Sequence, residues 1–214
     1  ELFRLFITKT FEPAGEECGT LYDEGSACPV CGSGARQDSD LYLDARRIPR
    51  EAELSRTIAD EWVASRHLVD LIEKTEIKGM TFRPVFHQVP QPDGARPGRS
   101  SRKEVETHRQ LVVTSRSLAI TSPTKTGENP FDSEASAAEY RCSLGDNIGH
   151  GYLSELYVSR ADWDGADIMV TRQMVGPRRG LIRPTRALLV RPRLRRLFLD
   201  NRVKKVAFEV AHFT

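Results

Sequence analysis

Apolar positions along the chain form two phrases in which helical spacing gives way to extended spacing. In the first, Trp62, Val63, Leu68, Leu71 and Ile72 fit one stripe of a helix that begins near Glu51 or Leu54. Ile77, Met80, Phe82 and Val85 then shift toward strand spacing, with Gly79 marking the turn. In the second, Pro192 suits the first position of a helix, Leu194, Leu197 and Phe198 make its buried stripe, and Val206, Phe208 and Val210 alternate as a strand. Gln110 to Thr114 and Leu188 to Val190 read as further short strands, and Thr121 to Asp132, with Pro123, Gly127 and Pro130, as irregular chain. Between the phrases, Gln88 to Arg109 carries Pro90, Pro92, Gly94, Pro97 and Gly98 and predicts a mobile surface loop or disordered insertion.

The two phrases repeat one another. Ser39 to Leu43 (SDLYL) recurs as Ser154 to Val158 (SELYV) at an offset of 115 residues, and Leu68, Leu71, Ile72, Ile77, Lys78, Met80 and Phe82 recur as Leu194, Leu197, Phe198, Val203, Lys204, Val206 and Phe208 at an offset of 126. Cys142 stands before its SELYV as Cys28 and Cys31 stand before SDLYL. The fold expected is therefore α+β: two related helix-then-strand halves, an internal duplication, with an N-terminal zinc knuckle. The division that follows is 1–87 for the N-terminal half with the knuckle, 88–109 for the flexible insertion and 110–214 for the C-terminal half packed on the first.

The four cysteines carry the most specific chemistry. Cys28-Pro29-Val30-Cys31-Gly32 is a CPxCG turn, in which proline sets one backbone angle and glycine leaves amides free to face the thiolates. Zinc in a structural role takes four soft ligands in a closed tetrahedron, and Cys18, Cys28, Cys31 and Cys142 supply four. His150 is the rival for the fourth place. The competing readings are buried free thiols, disulfides in an exported protein, or a redox pair, although a redox CxxC opens a helix after a strand and this one lies in a loop rich in Gly and Ser. With every coordination position filled by protein, such a zinc holds structure and activates no water.

Composition narrows the setting. A chain of 214 residues, 39% hydrophobic and 29% charged, can bury a core, and no run approaches the roughly 18 apolar residues of a membrane span. The opening Glu1 to Phe6 lacks the order of a signal peptide, which points to the cytoplasm. The formal charge of +2 conceals an asymmetry: Arg172 to Lys205 holds twelve Lys or Arg and one acid, Asp200, or +11, leaving −9 elsewhere. Within that run Arg178, Arg179, Arg183, Arg186 and Arg193 are candidates to meet an anionic partner, against the simpler reading of a solvated face paired with acids elsewhere. No spacing among Asp60, Glu61, Asp162, Asp164, His87, His108, His150 and His212 matches a nucleophile, phosphate loop or hydrolase motif, so the expectation is that the protein is not an enzyme. Asp162 to Gly165 reads as a turn carrying a core indole, and His67 as a surface residue.

The CPxCG knuckle, the helix Ser65 to Leu71 with its following Ile77 to Val85, and the closing version of that phrase resemble the immunity proteins of bacterial polymorphic toxin systems, notably the myxobacterial type with a doubled CxxCG motif. The likeness covers about a third of the chain, and here only one CxxCG is complete, which favours one shared metal over two. The resemblance implies a cytoplasmic protein that binds and neutralises a cognate toxin, with zinc as a fold element and no catalytic residues. The alternative is a zinc-knuckle nucleic-acid-binding protein that neutralises phosphates with the 172–205 run, although few aromatics interleave there for base stacking.

Overall fold

The computed structural model describes residues 1–90, 103–127, 140–177 and 182–214. Its strands in chain order are β1 (Leu2–Ile7), β2 (Tyr22–Asp23), β3 (Arg36–Gln37), β4 (Leu41–Leu43), β5 (Leu54–Arg56) and β6 (Trp62–Ser65), followed by helix α1 (Arg66–Lys74), β7 (Met80–His87) and β8 (Lys103–Val113). Then come β9 (Thr126–Gly127), β10 (Tyr140–Arg141), β11 (Asn147–Ile148), β12 (Gly151–Tyr152), β13 (Leu156–Val158), β14 (Ile168–Gly176), β15 (Thr185–Val190), helix α2 (Pro192–Asp200) and β16 (Val206–Phe213). The order β4-β7-β8-β6-β5 makes one sheet and β10-β11-β14-β15-β1-β16-β13 the other; β2-β3 and β9-β12 are separate two-stranded ladders.

This overturns the α+β expectation of two helix-then-strand halves. The protein is mostly β, with only two α-helices among the described residues, each nine residues long, and two sheets as its framework. The helix expected from near Glu51 begins only at Arg66, because Leu54–Arg56 and Trp62–Ser65 pair with each other as antiparallel strands. What the two phrases do share is their place in a sheet. Leu41 pairs with Val85 in parallel and Leu156 with Ala211 in parallel; Trp62 and Phe82 both face Leu111, and Leu188 and Phe208 both face Leu5. β1, from the other end of the chain, therefore stands in the second sheet where β8 stands in the first. The sheets do not follow the division at 87 and 110. Of the segment 88–109, residues 91–102 lie outside the described residues and 103–109 belong to β8.

Alternation assigns the faces. In β15, Leu188 and Val190 turn inward with Ile168 and Val170 of β14, while Ala187 and Leu189 turn outward with Met169. The inward face joins Leu54 and Leu111 of the first sheet and Leu68, Val69, Ile72, Leu194 and Phe198 of the helices in one core. Each helix starts by a different local rule: the Ser65 hydroxyl accepts from Leu68 N at 3.1 Å, and Pro192 occupies the first turn of α2. Both helices end in left-handed residues, Glu76 and Arg202, and return to strand through a second one, Gly79 and Lys205. At Gly79 a Cβ would stand 2.5 Å from Ile168 O, so the close approach of the two sheets requires glycine there.

Candidate metal centre

The loop of the β2-β3 ladder and the β10-β11 hairpin of the second sheet hold the site. Between β2 and β3 the chain makes the CPxCG turn, closed by Cys28 N donating to Ser33 O at 2.8 Å and Gly32 N donating to Cys28 O at 2.7 Å. Between β10 and β11, at the edge of the second sheet, it makes a second turn, closed by Gly145 N donating to Cys142 O and Cys142 N donating to Asp146 O, both at 2.8 Å. The positive φ of Gly34 (82°) and Gly149 (78°), again 115 residues apart, leads the chain on into β3 and β12.

The turns bring Cys28, Cys31, Cys142 and Asp146 together, with one ligand atom from each and all four atoms within 4.8 Å of one another, close enough to hold a metal ion. Cys28 Sγ lies 3.6 Å from Cys142 Sγ, far beyond a covalent S–S bond, and all four cysteines are free thiols. Cys31 Sγ lies 3.4 Å from Asp146 Oδ2. Cys31, Cys142 and Asp146 are buried and Cys28 is partly exposed, with Ile148 packed against the sulfurs. Met174 N donates to the other carboxylate oxygen of Asp146 at 2.8 Å and fixes its orientation, the usual task of a group behind a metal ligand.

The thiols differ electrostatically. The Cys31 amide, with that of Val30 and the two neighbouring thiols, pulls the Cys28 thiol below its ordinary range. Burial pushes Cys31 up to about 11, against hydrogen bonding from Ser33. Gathering thiolates and a carboxylate in a mostly buried place is costly unless a cation compensates them, and a metal ion does so directly.

Cys18 is not part of this group. It is buried in a short 3-10 turn over 15–18, burial pushes its thiol up to about 12, and its carbonyl receives the Gln88 side chain. His150 is also outside the group. Asp146 is the ligand the sequence reading passed over. Its signal in the sequence is the offset of 115 residues that carries SDLYL onto SELYV, which also carries Cys31 onto Asp146.

Among the basic candidates, Arg178 and Arg179 lie outside the described residues. Arg183 donates to Ile182 O at 3.1 Å, while Arg193 reaches Thr75 O and lies 3.7 Å from Asp167. Arg191 and Arg195 lie over the rings of Trp163 and Phe3, so part of the run is spent inside the fold. Arg186 is exposed and makes no hydrogen bond or ion pair among the described residues. Trp163 donates to Ala166 O and packs on the outer core, and His67 is exposed beside Glu53. No helix among the described residues is long and apolar enough to cross a membrane.

Fold and site thus define a two-sheet β protein with a thiol–carboxylate cluster shared between two turns. Neither the protein-family models nor the curated proteins contain a match to this chain.

Proposed function

We propose that this is a non-enzymatic zinc-binding protein whose task is to bind and neutralise a protein partner of the toxin class. The observation that carries the zinc reading is the geometry of the donor set. One ion with zinc–sulfur bonds of ~2.3 Å and a zinc–oxygen bond of ~2.0 Å would set tetrahedral edges of about 3.8 Å between sulfurs and about 3.5 Å from sulfur to oxygen. Two of the six edges, at 3.6 Å and 3.4 Å, lie close to those lengths, and all six fall within 4.8 Å. Three thiolates and a carboxylate fill a tetrahedron, so the metal would have a structural role, cross-linking turns more than a hundred residues apart.

The partner reading is supported by the likeness to toxin-immunity proteins and by what the turns present outward. Val30 is 51% exposed and Leu144 63% exposed, and each sits two residues after a ligand cysteine. Apolar side chains exposed on turns that a metal would fix are suited to meet a protein surface. The test is co-expression with the polypeptide encoded beside this gene. Growth rescued by the wild type, and lost with Val30→Asp plus Leu144→Asp at unchanged zinc content, supports it. Absence of rescue, together with salt-sensitive binding to generic DNA or RNA, would replace it with nucleic-acid binding through Arg183 and Arg186.

A further inference from the structure

A second polar site lies away from the metal, where the two sheets meet. A cavity of about 80 Å³ is walled by Arg4, Phe6, Arg56, Trp62, Tyr152 and Arg186, with Asp60 at its side. At ~10–15 Å³ each it has room for roughly five to eight waters. Three arginines enter it from β1, β5 and β15. The Arg4 guanidinium lies 4.2 Å from the Phe6 ring centre and 4.3 Å from that of Tyr152, with Glu209 3.7 Å away as its one carboxylate neighbour. Arg56 spends one nitrogen on Asp60 at 3.3 Å, while its Nε is buried with no hydrogen-bond partner. The Tyr152 hydroxyl is likewise buried without a well-formed hydrogen bond; its neighbour is the Thr171 hydroxyl, which donates to Gln173 O, accepts from Ala187 N and keeps one lone pair. Buried donors left unpaired are uncommon, and here two of them line a cavity that carries a surplus of positive charge.

The first sheet supplies a control within the same molecule. By strand register and the 115-residue offset, Gln110 of β8 and Gln37 of β3 stand where Arg4 of β1 and Tyr152 of β12 stand, and the two glutamines satisfy each other with hydrogen bonds of 3.1 and 2.6 Å. The scaffold therefore accepts a neutral, closed pair at this place. The matching place between β1 and β12 instead holds a cation and a tyrosine hydroxyl.

We propose that this cavity binds a phosphate-class oxyanion. A tetrahedral dianion accepts hydrogen bonds in several directions, matches the fork of an arginine, and offers a partner to Arg56 Nε and the Tyr152 hydroxyl together. The anion contacts both sheets, since Arg4 and Arg186 belong to one and Arg56 to the other. The site does not depend on the metal or on the partner reading.

The test is calorimetric titration of the full, metal-loaded chain with inorganic phosphate in a chloride buffer, repeated with adenosine monophosphate. One saturable site per chain is expected. Arg186→Ala, which removes an exposed side chain with no internal partner, weakens binding by about tenfold or more, the loss of a charge-assisted hydrogen bond. Arg56→Lys keeps the charge but loses the Nε donor and weakens binding as well, with melting curves in chloride confirming that both variants fold. Equal affinity for the two probes marks free phosphate as sufficient, and tighter nucleotide binding assigns the phosphate to a nucleotide. No saturable binding at millimolar phosphate, or wild-type affinity in both variants, overturns the proposal.

Discussion

The first sheet and the five strands of the second that match it show what a repeated scaffold preserves and what it releases. Preserved are the parallel edge pair, β4 on β7 and β13 on β16, the helix that crosses to that pair, and the left-handed residues after each helix. Released is nearly all of the polar chemistry. Cys31 in one turn is answered by Asp146 in the other, Gln110 by Arg4, Asp60 by Arg186 and Gly79 by Lys205. Backbone pairing depends on register and apolar alternation, which many side chains satisfy, whereas ligand and cavity positions face no such shared constraint.

The sharpest way to break the comparison is to remove one ligand from each turn. If the cluster holds the proposed zinc, Cys31→Ser and Cys142→Ser are both expected to release it and lower stability by about 5 kcal/mol or more, a fall in melting temperature of roughly 10 °C or more, since such an ion would close a long loop. Differential scanning calorimetry reads both. Asp146→Cys is expected to tighten the site, because it completes a set of four thiolates.

Next comes the shared core, where Ile72 and Phe198 occupy matching places on the two helices and are both about fully buried. Denaturant unfolding should report a loss of about 2–5 kcal/mol for Ile72→Ala and about 3–5 kcal/mol for Phe198→Ala, in one cooperative transition for both. Two transitions, each sensitive to only one variant, would mean that the sheets fold separately.

The matching turns are unequal. Gly79→Ala combines a φ of 101° with a methyl against Ile168 O, and a cost of about 2–4 kcal/mol is expected; Lys205→Gly, at φ 65°, should stay within about 1 kcal/mol of neutral.

The effect that vanishes with pH concerns Asp60, whose carboxyl burial raises to about 6 despite Arg56 and the Trp62 indole. A carboxyl with a folded value above its unfolded one takes up protons on folding, so this group costs stability above pH 6 and the cost disappears as pH falls toward 4. Asp60→Asn keeps one oxygen for the Trp62 and Arg56 donors and tolerates the local φ of 70°. It should gain up to about 3 kcal/mol at pH 7.5 and nothing near pH 4, read from melting temperature against pH in anion-free buffer.

Much of this was legible in the sequence, unevenly. The strand after each helix, the short helix at Pro192 and the CPxCG turn came from spacing and turn chemistry. β5 and β6 were read as helix because Trp62 and Val63 fall on the stripe of Leu68, Leu71 and Ile72, and periodicity cannot separate a short buried strand from a helix that directly follows it. β1 and β14 went unread: Phe3-Arg4-Leu5-Phe6 and the Thr171-Arg172-Gln173 break inside β14 blur the alternation, and a strand whose partners lie almost two hundred residues away leaves no local signal. At the site, three of four ligands were visible because cysteine is rare; aspartate is common, and only the repeat singles out Asp146.

The central claim is that two related turns share one metal through Cys28, Cys31, Cys142 and Asp146, with Cys18 outside the set. The direct measurement is zinc retained per chain after dialysis against a competing chelator, for the wild type, Cys18→Ser and Asp146→Ala side by side. One zinc is expected in the wild type and in Cys18→Ser, and markedly less in Asp146→Ala. Zinc lost from Cys18→Ser but held by Asp146→Ala would return the fourth position to Cys18 and contradict the shared site.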